Sequence, residues 1–523
     1  MDRADGSWPA RLRSALERRV ANAWRRLAVG DHSTAAEAAL DWLLCRGAGH
    51  GLVSRNHADG YCPGLSAAAL VTAAAYGQRE AARRWAQWLM AIQRPDGALP
   101  AAGSHGPSIF NTGQAARGWL AIGNDLPGAM VAARRACEYL VSRIGADGQP
   151  RLNAHCGSCD PWLPPPVLLV GFSALANAAT RLNEPAWREA LDRLVRGMLR
   201  RSGLIHWDVP SPFLAQAIEA LLEVGDRRHA LEALRPIEAA QRRDGAVPAH
   251  WGSLSDSTQA VAHLAKLWCQ IGELDRAERA IGYLARRQTA EGDFREHARW
   301  SVARRRHGAA PWTVVHFLDA SRALVEASFK THADKLPEDI HALDPRLQAI
   351  QEWLSAMPPV ARVADVGCGK GRYLRRLAPS FPNLRFTGID TCAALLAHLP
   401  AWVDRRCGDL LCLSAADGEF DAAFAIEVLE HTLVPRQAIA ELCRIVRPGG
   451  QVLIIDKRRS HQALSLCEPW ERWFTPEEVR GWLAPCCDGA AVAGIHMRND
   501  RRRECLFLCW TATRRATASC AAA

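Results

Sequence analysis

The stretch Arg362-Val-Ala-Asp-Val-Gly-Cys-Gly-Lys-Gly371 constrains this chain more than any other. A short strand, Arg362 to Val366, runs into glycines at 367, 369 and 371, and Tyr373-Leu-Arg-Arg-Leu377 then begins a helix. Strand, glycine turn and helix in that order make a crevice at the carboxyl end of a parallel sheet, where doubly wound folds bind ligands. Glycine is needed because the backbone must turn sharply and approach a ligand where a Cβ would intrude. A dinucleotide site would show GxGxxG around a pyrophosphate. Here the spacing is GxGxG, and Asp365 inside the strand would repel a pyrophosphate but attract a cationic amine.

The following elements arrive in order. Leu384 to Ile389 reads as a second strand ending at Asp390, 19 residues after Gly371. An acid at that place accepts hydrogen bonds from both hydroxyls of a ribose; the plainer alternative is a cap for a helix starting near Thr391. Cys407-Gly-Asp-Leu410 follows a third strand. A fourth, Phe420 to Ile426, runs into Glu427-Val-Leu-Glu-His431. Arg447-Pro-Gly-Gly450 turns into a fifth, Gln451 to Ile455, and the last two are expected at 490–495 and 505–510.

Across residues 345–512 this order of motifs resembles the class I S-adenosylmethionine (SAM)-dependent methyltransferases of the ubiquinone-biosynthesis type. The resemblance implies a doubly wound, Rossmann-like α/β fold with SAM as cofactor. It assigns Asp365 to the methionine amine, Gly367, Cys368, Gly369 and Gly371 to the loop, and Asp390 with Thr391 to the ribose. Asp409 would hydrogen-bond the adenine amino group, Leu410 would cover the ring, and Ile426 and Glu427 would close over the cofactor. Cys368 is expected to be a small turn residue, and Lys370 to point to solvent.

Methyl transfer from a sulfonium is an in-line displacement, so holding donor and acceptor in line is the main task of the protein. A hydroxyl acceptor also gains from a general base. His431, Glu430 and Asp456 fall at strand ends expected to face the acceptor. His431 and Asp456 are the catalytic candidates, with His431 first as the base of an O-methylation; the alternative is a histidine that only packs against its loop. Lys457 would suit an anionic acceptor. Trp470-Glu-Arg-Trp-Phe474 either lids the pocket or simply starts a helix over 475–483.

Upstream, the chain repeats itself. Gln93-Arg-Pro-Asp-Gly-Ala-Leu-Pro-Ala101 and Gln241-Arg-Arg-Asp-Gly-Ala-Val-Pro-Ala249 agree at seven of nine positions, and Gln288-Thr-Ala-Glu-Gly-Asp-Phe294 is a looser copy. Glycines of related turns stand at 60, 97, 148, 203, 245 and 292. Between them the apolar residues follow helical spacing, as at 85, 88, 89 and 92. Six helix pairs of unequal length predict an (α/α)6 toroid over residues 35–328, with an open solenoid as the competing architecture. This region is similar to the six-hairpin toroids of glycoside hydrolases, polysaccharide lyases, uronyl epimerases and terpene cyclases. Its turn is similar to the QW repeat of squalene cyclases, but the Asp-x-Asp-Asp acid of class II cyclases is absent. The closer likeness is to toroids attached to methyltransferases in bacterial cell-surface polysaccharide clusters. Asn111, Gln114, His206, Asp208, His250, Asp256 and His297 are its candidate sugar-binding or acid–base groups, although turns of helical hairpins require polar residues anyway.

The expected order is therefore a basic amphipathic helix within 1–34, the toroid over 35–328, a polar linker over 329–344, the methyltransferase domain over 345–512 and a frayed tail over 513–523. In the leading helix Leu12, Leu16, Val20, Ala23 and Leu27 share one face, which would pack on the toroid or rest on an anionic membrane surface. The formal charge is +10, yet 60 of the 65 basic residues are arginine and they are scattered, which argues against nucleic acid as a partner. No apolar run is long enough to span a membrane and no secretory h-region opens the chain, so a cytoplasmic location is expected. The 17 cysteines read as reduced core residues. Cys156-Gly-Ser-Cys159 after His155 lacks a second pair at metal-site spacing, so no metal is expected there. The acceptor would be a small molecule or saccharide, most simply a glycan or lipid-linked saccharide that the toroid presents. The alternatives are a bifunctional chain whose toroid is a lyase, epimerase, hydrolase or terpenoid-cyclase-like catalyst, and a carbohydrate-binding scaffold with an auxiliary methyltransferase.

Overall fold

A computed structural model of the protein describes residues 32–47, 52, 61–102, 106–152, 165–201, 209–294, 311–460, 468–497 and 505–516. The leading helix expected over 11–27, the Cys156/Cys159 pair and the turn residues His206, Asp208 and His297 lie outside the described residues.

The N-terminal region is helical: α1 (His32–Arg46), α2 (Pro63–Ala75), α3 (Arg79–Ala91), α4 (Ile109–Ile122), α5 (Ala129–Ser142), α6 (Pro165–Arg181), α7 (Pro185–Arg201), α8 (Ser211–Val224), α9 (Arg227–Ala240), α10 (Thr258–Ile271), α11 (Leu274–Ala285) and α12 (Pro311–Thr331). Two kinds of helix alternate. Helix α3 buries only Ala81, Ala82, Trp85, Ala86 and Leu89, the single stripe of a surface helix. Helix α2 is small and apolar almost all round and buries nine of its 13 residues. The even-numbered helices pack each on the next, and α12 packs back on α2; each odd-numbered helix lies outside an even-numbered one, α1 against α12.

The repeated turn explains how this order propagates. In all three copies the glycine is left-handed, with φ +87° at Gly97, +97° at Gly245 and +94° at Gly292. A Cβ at these glycines would fall 2.3, 2.0 and 2.2 Å from the carbonyl oxygens of Arg135, Arg279 and Ala38, each on the next outer helix. The leading glutamine ties the same joint. Gln93 Nε2 donates to the Gly97 and Ala132 carbonyls at 3.0 Å, and Gln288 Nε2 to the Gly292 and Ala35 carbonyls at 2.8 Å. The aspartate of the turn caps it locally, Asp96 Oδ1 accepting the Ala98 N–H at 3.2 Å. The last copy docks on α1, joining the two ends of the helical region.

The C-terminal region holds a seven-stranded sheet: β1 (Arg362–Val366), β2 (Arg385–Asp390), β3 (Asp404–Cys407), β4 (Phe420–Ile426), β5 (Val446–Lys457), β6 (Cys487–Ile495) and β7 (Phe507–Arg514), in spatial order 3-2-1-4-5-7-6. All pairings are parallel except those of β7, which runs against β5 and β6. The order reverses between β1 and β4, which opens the ligand crevice of a Rossmann-like sheet. Helix α13 (Pro345–Ser355) covers one face, with Asp344 capping it through the Arg346 N–H at 2.9 Å. The other face shares a hydrophobic cluster with the helical region. At that junction Gly77, with φ +71°, leaves room where a Cβ would sit 1.9 Å from the Leu411 carbonyl oxygen. Among the described cysteines, all read as core, Cys269, Cys443, Cys505, Cys509 and five others are buried, but Cys392 and Cys412 are half-buried and Cys45 and Cys407 are exposed.

Gly292→Ala forces a left-handed residue into the Ala38 carbonyl. We expect urea unfolding to show a loss of about 1–3 kcal/mol. An unchanged midpoint would contradict this account of the joint.

Candidate cofactor and acceptor site

The loop after β1 is built as its glycines require. Gly367, Gly369 and Gly371 have φ of +76°, +54° and +78°. A Cβ on Gly367 would strike the Val428 side chain at 2.4 Å, so the loop can lie against the segment after β4 only as glycine. The Gly367 N–H donates to the Ile389 carbonyl at 2.7 Å, and the Gly369 N–H to Asp390 Oδ2 at 2.8 Å. The loop is thereby laced to the end of β2.

A cavity of about 340 Å³ opens over this loop. Asp365, Gly367, Cys368, Gly369, Asp390, Thr391, Asp409, Leu410, Ile426, Glu427 and His431 line it, whereas Gly371 and Asp456 do not. Gly371 turns towards Leu399. Cys368 is buried in the turn, and burial followed by the charges of Asp365 and Asp390 pushes its thiol far up, which disfavours the thiolate. Lys370 departs from expectation: it is only 6% exposed, lines the cavity and lies 3.6 Å from Glu338, because the segment after α12 folds over it.

The acids of the cavity are held differently. Asp390 accepts the Gly369 and Cys392 N–H groups at 2.8 and 2.9 Å; burial raises its carboxyl while these amides partly offset that. Glu427 sits at φ +57°, unusual for a residue with a side chain, and is clamped by Arg346 and by Arg372 Nη2 at 2.7 Å. Asp365 is 2% exposed and its Oδ2 has no hydrogen-bond partner. A buried, unsatisfied carboxylate oxygen is costly, and a cationic amine in the cavity would relieve it. This fits SAM, whose methionine amine Asp365 would take.

On the acceptor side, His431 Nε2 is 3.3 Å from Glu430 Oε1 and its ring meets Phe329 edge-on at 4.9 Å, while Nδ1 is buried without a hydrogen-bond partner. Asp456 is fully buried and takes the Lys457 N–H at 2.8 Å and the Glu430 N–H at 3.2 Å. Burial and then Glu430 hold its carboxyl well above the usual range, and the side chain lies behind the cavity wall. Lys457 reaches the cavity, but Glu430 at 2.8 Å and Glu471 at 2.9 Å already occupy its ammonium. Trp470, Trp473 and Phe474 are at most 3% exposed and stay out of the cavity lining. The segment instead leads into α17 (Pro476–Leu483; α14, α15 and α16 being Leu374–Ser380, Ala393–Leu396 and Pro435–Ile445), capped reciprocally by Thr475 and Glu478.

Sequence reasoning missed one whole wall. Arg322, Val325, Glu326 and Phe329 of α12, with Leu336 and Pro337 after it, line the same cavity. Phe329, Leu336 and Pro337 fall in what reads as a linker, and one arginine among 60 carries no signal.

The helical region holds a second polar cluster, also missed, where polar residues break otherwise apolar inner helices. Glu219 binds His263 at 2.8 Å and Lys266 at 2.7 Å, and Asp319 binds Thr72 at 2.8 Å and Lys266 at 3.4 Å. His316 stacks on His263 at 4.0 Å and on Trp312 at 5.7 Å; it is 6% exposed and both ring nitrogens lack hydrogen-bond partners. None of the four expected turn residues that are described is part of it. Asn111 is buried and donates to the Pro100 carbonyl, Asp256 accepts from Tyr283, His250 is exposed and Gln114 is half-buried.

Residues 364–454 match the family model of a methyltransferase domain. An uncharacterized 37.1 kDa protein of transposon TN4556 from Streptomyces fradiae is 30% identical over 26% of this chain and 43% of its own length. The probable tRNA methyltransferase 9B of Homo sapiens is 29% identical over 24% of this chain and 28% of its own. The ubiquinone biosynthesis O-methyltransferase of Thiobacillus denitrificans is 29% identical over 24% and 57%. The chain thus spans less than two thirds of each relative. A Haemonchus contortus N-methyltransferase structure with bound S-adenosylhomocysteine aligns at 15% identity over 32% of this chain and 52% of its own, with a TM-score of 0.29. The matched segment is a SAM-dependent methyltransferase domain.

Burial, and then Asp390, push the Asp365 carboxyl up to about 8. Its unfolded value is about 3.9, so between those values only the folded state keeps the proton, and its contribution to stability falls as pH rises. A cationic amine favours the carboxylate. At pH 7, titration of SAM in buffers of different ionisation heat should show release of most of one proton, lost in Asp365→Asn. Binding without proton release would contradict the assignment.

Proposed function

We propose that the chain is an enzyme that O-methylates a glycan or lipid-linked saccharide, using the 345–512 domain for catalysis and an (α/α)6 toroid over 35–328 to present the acceptor. The observation that carries this reading is the shared cavity. Glycine loop, Asp365 and Asp390 form one wall, and α12 of the helical region forms the other. SAM bound there would supply an activated methyl group. His431 lines the cavity and is the group suited to take the acceptor proton, and Glu430 beside its Nε2 would stabilise the imidazolium. Engagement of Lys457 by two carboxylates favours a neutral hydroxyl over an anionic acceptor.

The toroid assignment draws on the return of α12 to α2 and on the last repeat docking to α1. The saccharide reading draws on the polar cluster inside it, where the Trp312 ring lies beside His316, whose two ring nitrogens lack hydrogen-bond partners. A second reading makes the toroid itself a lyase, epimerase or hydrolase. It draws on the Glu219–His263 pair beside His316, where Lys266 and then His263 outweigh burial and keep the Glu219 carboxyl well below its usual range.

Calorimetric titration of the full chain with SAM should give binding that Asp390→Ala weakens at least tenfold. No binding, or equal affinity in the variant, refutes the cofactor assignment. Incubating the chain with labelled SAM and acidic or neutral oligosaccharides should give labelled saccharide. Methyl transfer confined to small non-saccharide acceptors would refute the acceptor class, and cleaved or epimerised chains without SAM would establish the second reading.

A further inference from the structure

Arg322 belongs to the helical region, yet its guanidinium lies in the wall of the cofactor cavity. Its Nε donates to Asp409 Oδ2 at 3.0 Å, while Asp409 Oδ1 accepts the Leu411 N–H at 2.8 Å. One donor on each oxygen fixes the carboxylate in a single orientation and leaves each oxygen a further lone pair. The two side chains are 36% and 18% exposed, so neither is sealed off from a ligand. The arginine is itself delivered rigidly. One turn earlier, Asp319 binds Thr72 at 2.8 Å, and the Tyr76 hydroxyl donates to the Leu318 carbonyl at 2.8 Å, which pins α12 to α2. Burial works against the charge of Arg322, but Asp409 outweighs it.

We propose that Arg322 is a positioning residue for the cofactor: it fixes Asp409 so that the carboxylate selects the 6-amino group of adenine. The recognition site for the base is then completed from the helical region. This rests on the reading of Asp409 as the adenine acceptor. An amino group meets the fixed carboxylate as a donor, whereas a 6-oxo group would set acceptor against acceptor. A site built around such a hydrogen bond rejects the analogue lacking it. Freed from Arg322, the carboxylate can turn to water, and the preference for the donor base falls away.

The test uses the full chain and two ligands, S-adenosylhomocysteine and its 6-oxo analogue S-inosylhomocysteine, titrated by calorimetry. The wild type should prefer the adenine ligand by about tenfold or more. Arg322→Ala should weaken S-adenosylhomocysteine several-fold and bring the preference down to that of Asp409→Asn. Arg322→Lys, which keeps a donor but loses the planar fork, should recover part of it. A purely structural role would lower the thermal midpoint of Arg322→Ala and leave the ratio of the two affinities unchanged, which would overturn the proposal. Equal affinities in the wild type would overturn it as well. Asp390→Ala serves as the separate control: if it binds S-adenosylhomocysteine as tightly as the wild type, the cofactor site itself has been misread.

Discussion

Much of this structure depends on a single helix, α12, because it is shared between the helical region and the cofactor cavity. Its first half belongs to the helical interior, where Trp312 and His316 stack and Asp319 joins Lys266 and Thr72. Its second half belongs to the cavity, through Arg322 on Asp409 and Phe329 on His431. A packed helix does not bend freely, so what moves one end is felt at the other. The contacts around it reinforce the joint: Arg472 and Arg436 both reach Glu37 on α1, and Gln437 donates to the Gly77 carbonyl. The two regions thus meet in an interior as continuous as either of their own.

The cavity gathers carboxyl groups, one of which a cationic ligand would turn into a carboxylate. Asp365 and Asp390 lie close enough for the charge of one to raise the other, and Asp365 has no protein partner for one oxygen. Glu427, by contrast, is committed to Arg346 and Arg372 and holds a left-handed backbone. Strain of that kind, about 1–3 kcal/mol, persists where surrounding contacts over-determine it. Here the clamp aims the segment after β4 across the glycine loop.

The sheet was legible because its signals are local. Glycines at 367, 369 and 371 must be glycine for reasons of backbone angle, and Asp390 follows from its place at the end of β2. The strands fall in the expected order, but β5 and β6 start earlier than expected, at Val446 and Cys487, and β7 runs to Arg514, two residues into the stretch expected to fray, because it pairs with both neighbours there. The repeated turn was legible for the same reason, since Gln and Gly serve one joint. What could not be read were contacts between residues far apart in sequence. Arg322 and Asp409 are 87 positions apart, and no pattern links them. Lys370 looked solvent-facing because the sequence does not reveal that the stretch after α12 returns over it. Asp456 looked like a member of the acceptor site because a strand end is the right place, but Glu430 and Lys457 turn it inwards. The polar cluster at His316 left a faint trace, with polar pairs three residues apart at 263/266 and 316/319.

Hydrogen exchange of the full chain with and without SAM tests the central claim, that the helical region forms part of the cofactor site. Peptides of the glycine loop and of residues 311–331 should both gain protection on binding. Protection confined to the 345–457 segment, with 311–331 unchanged, would contradict it.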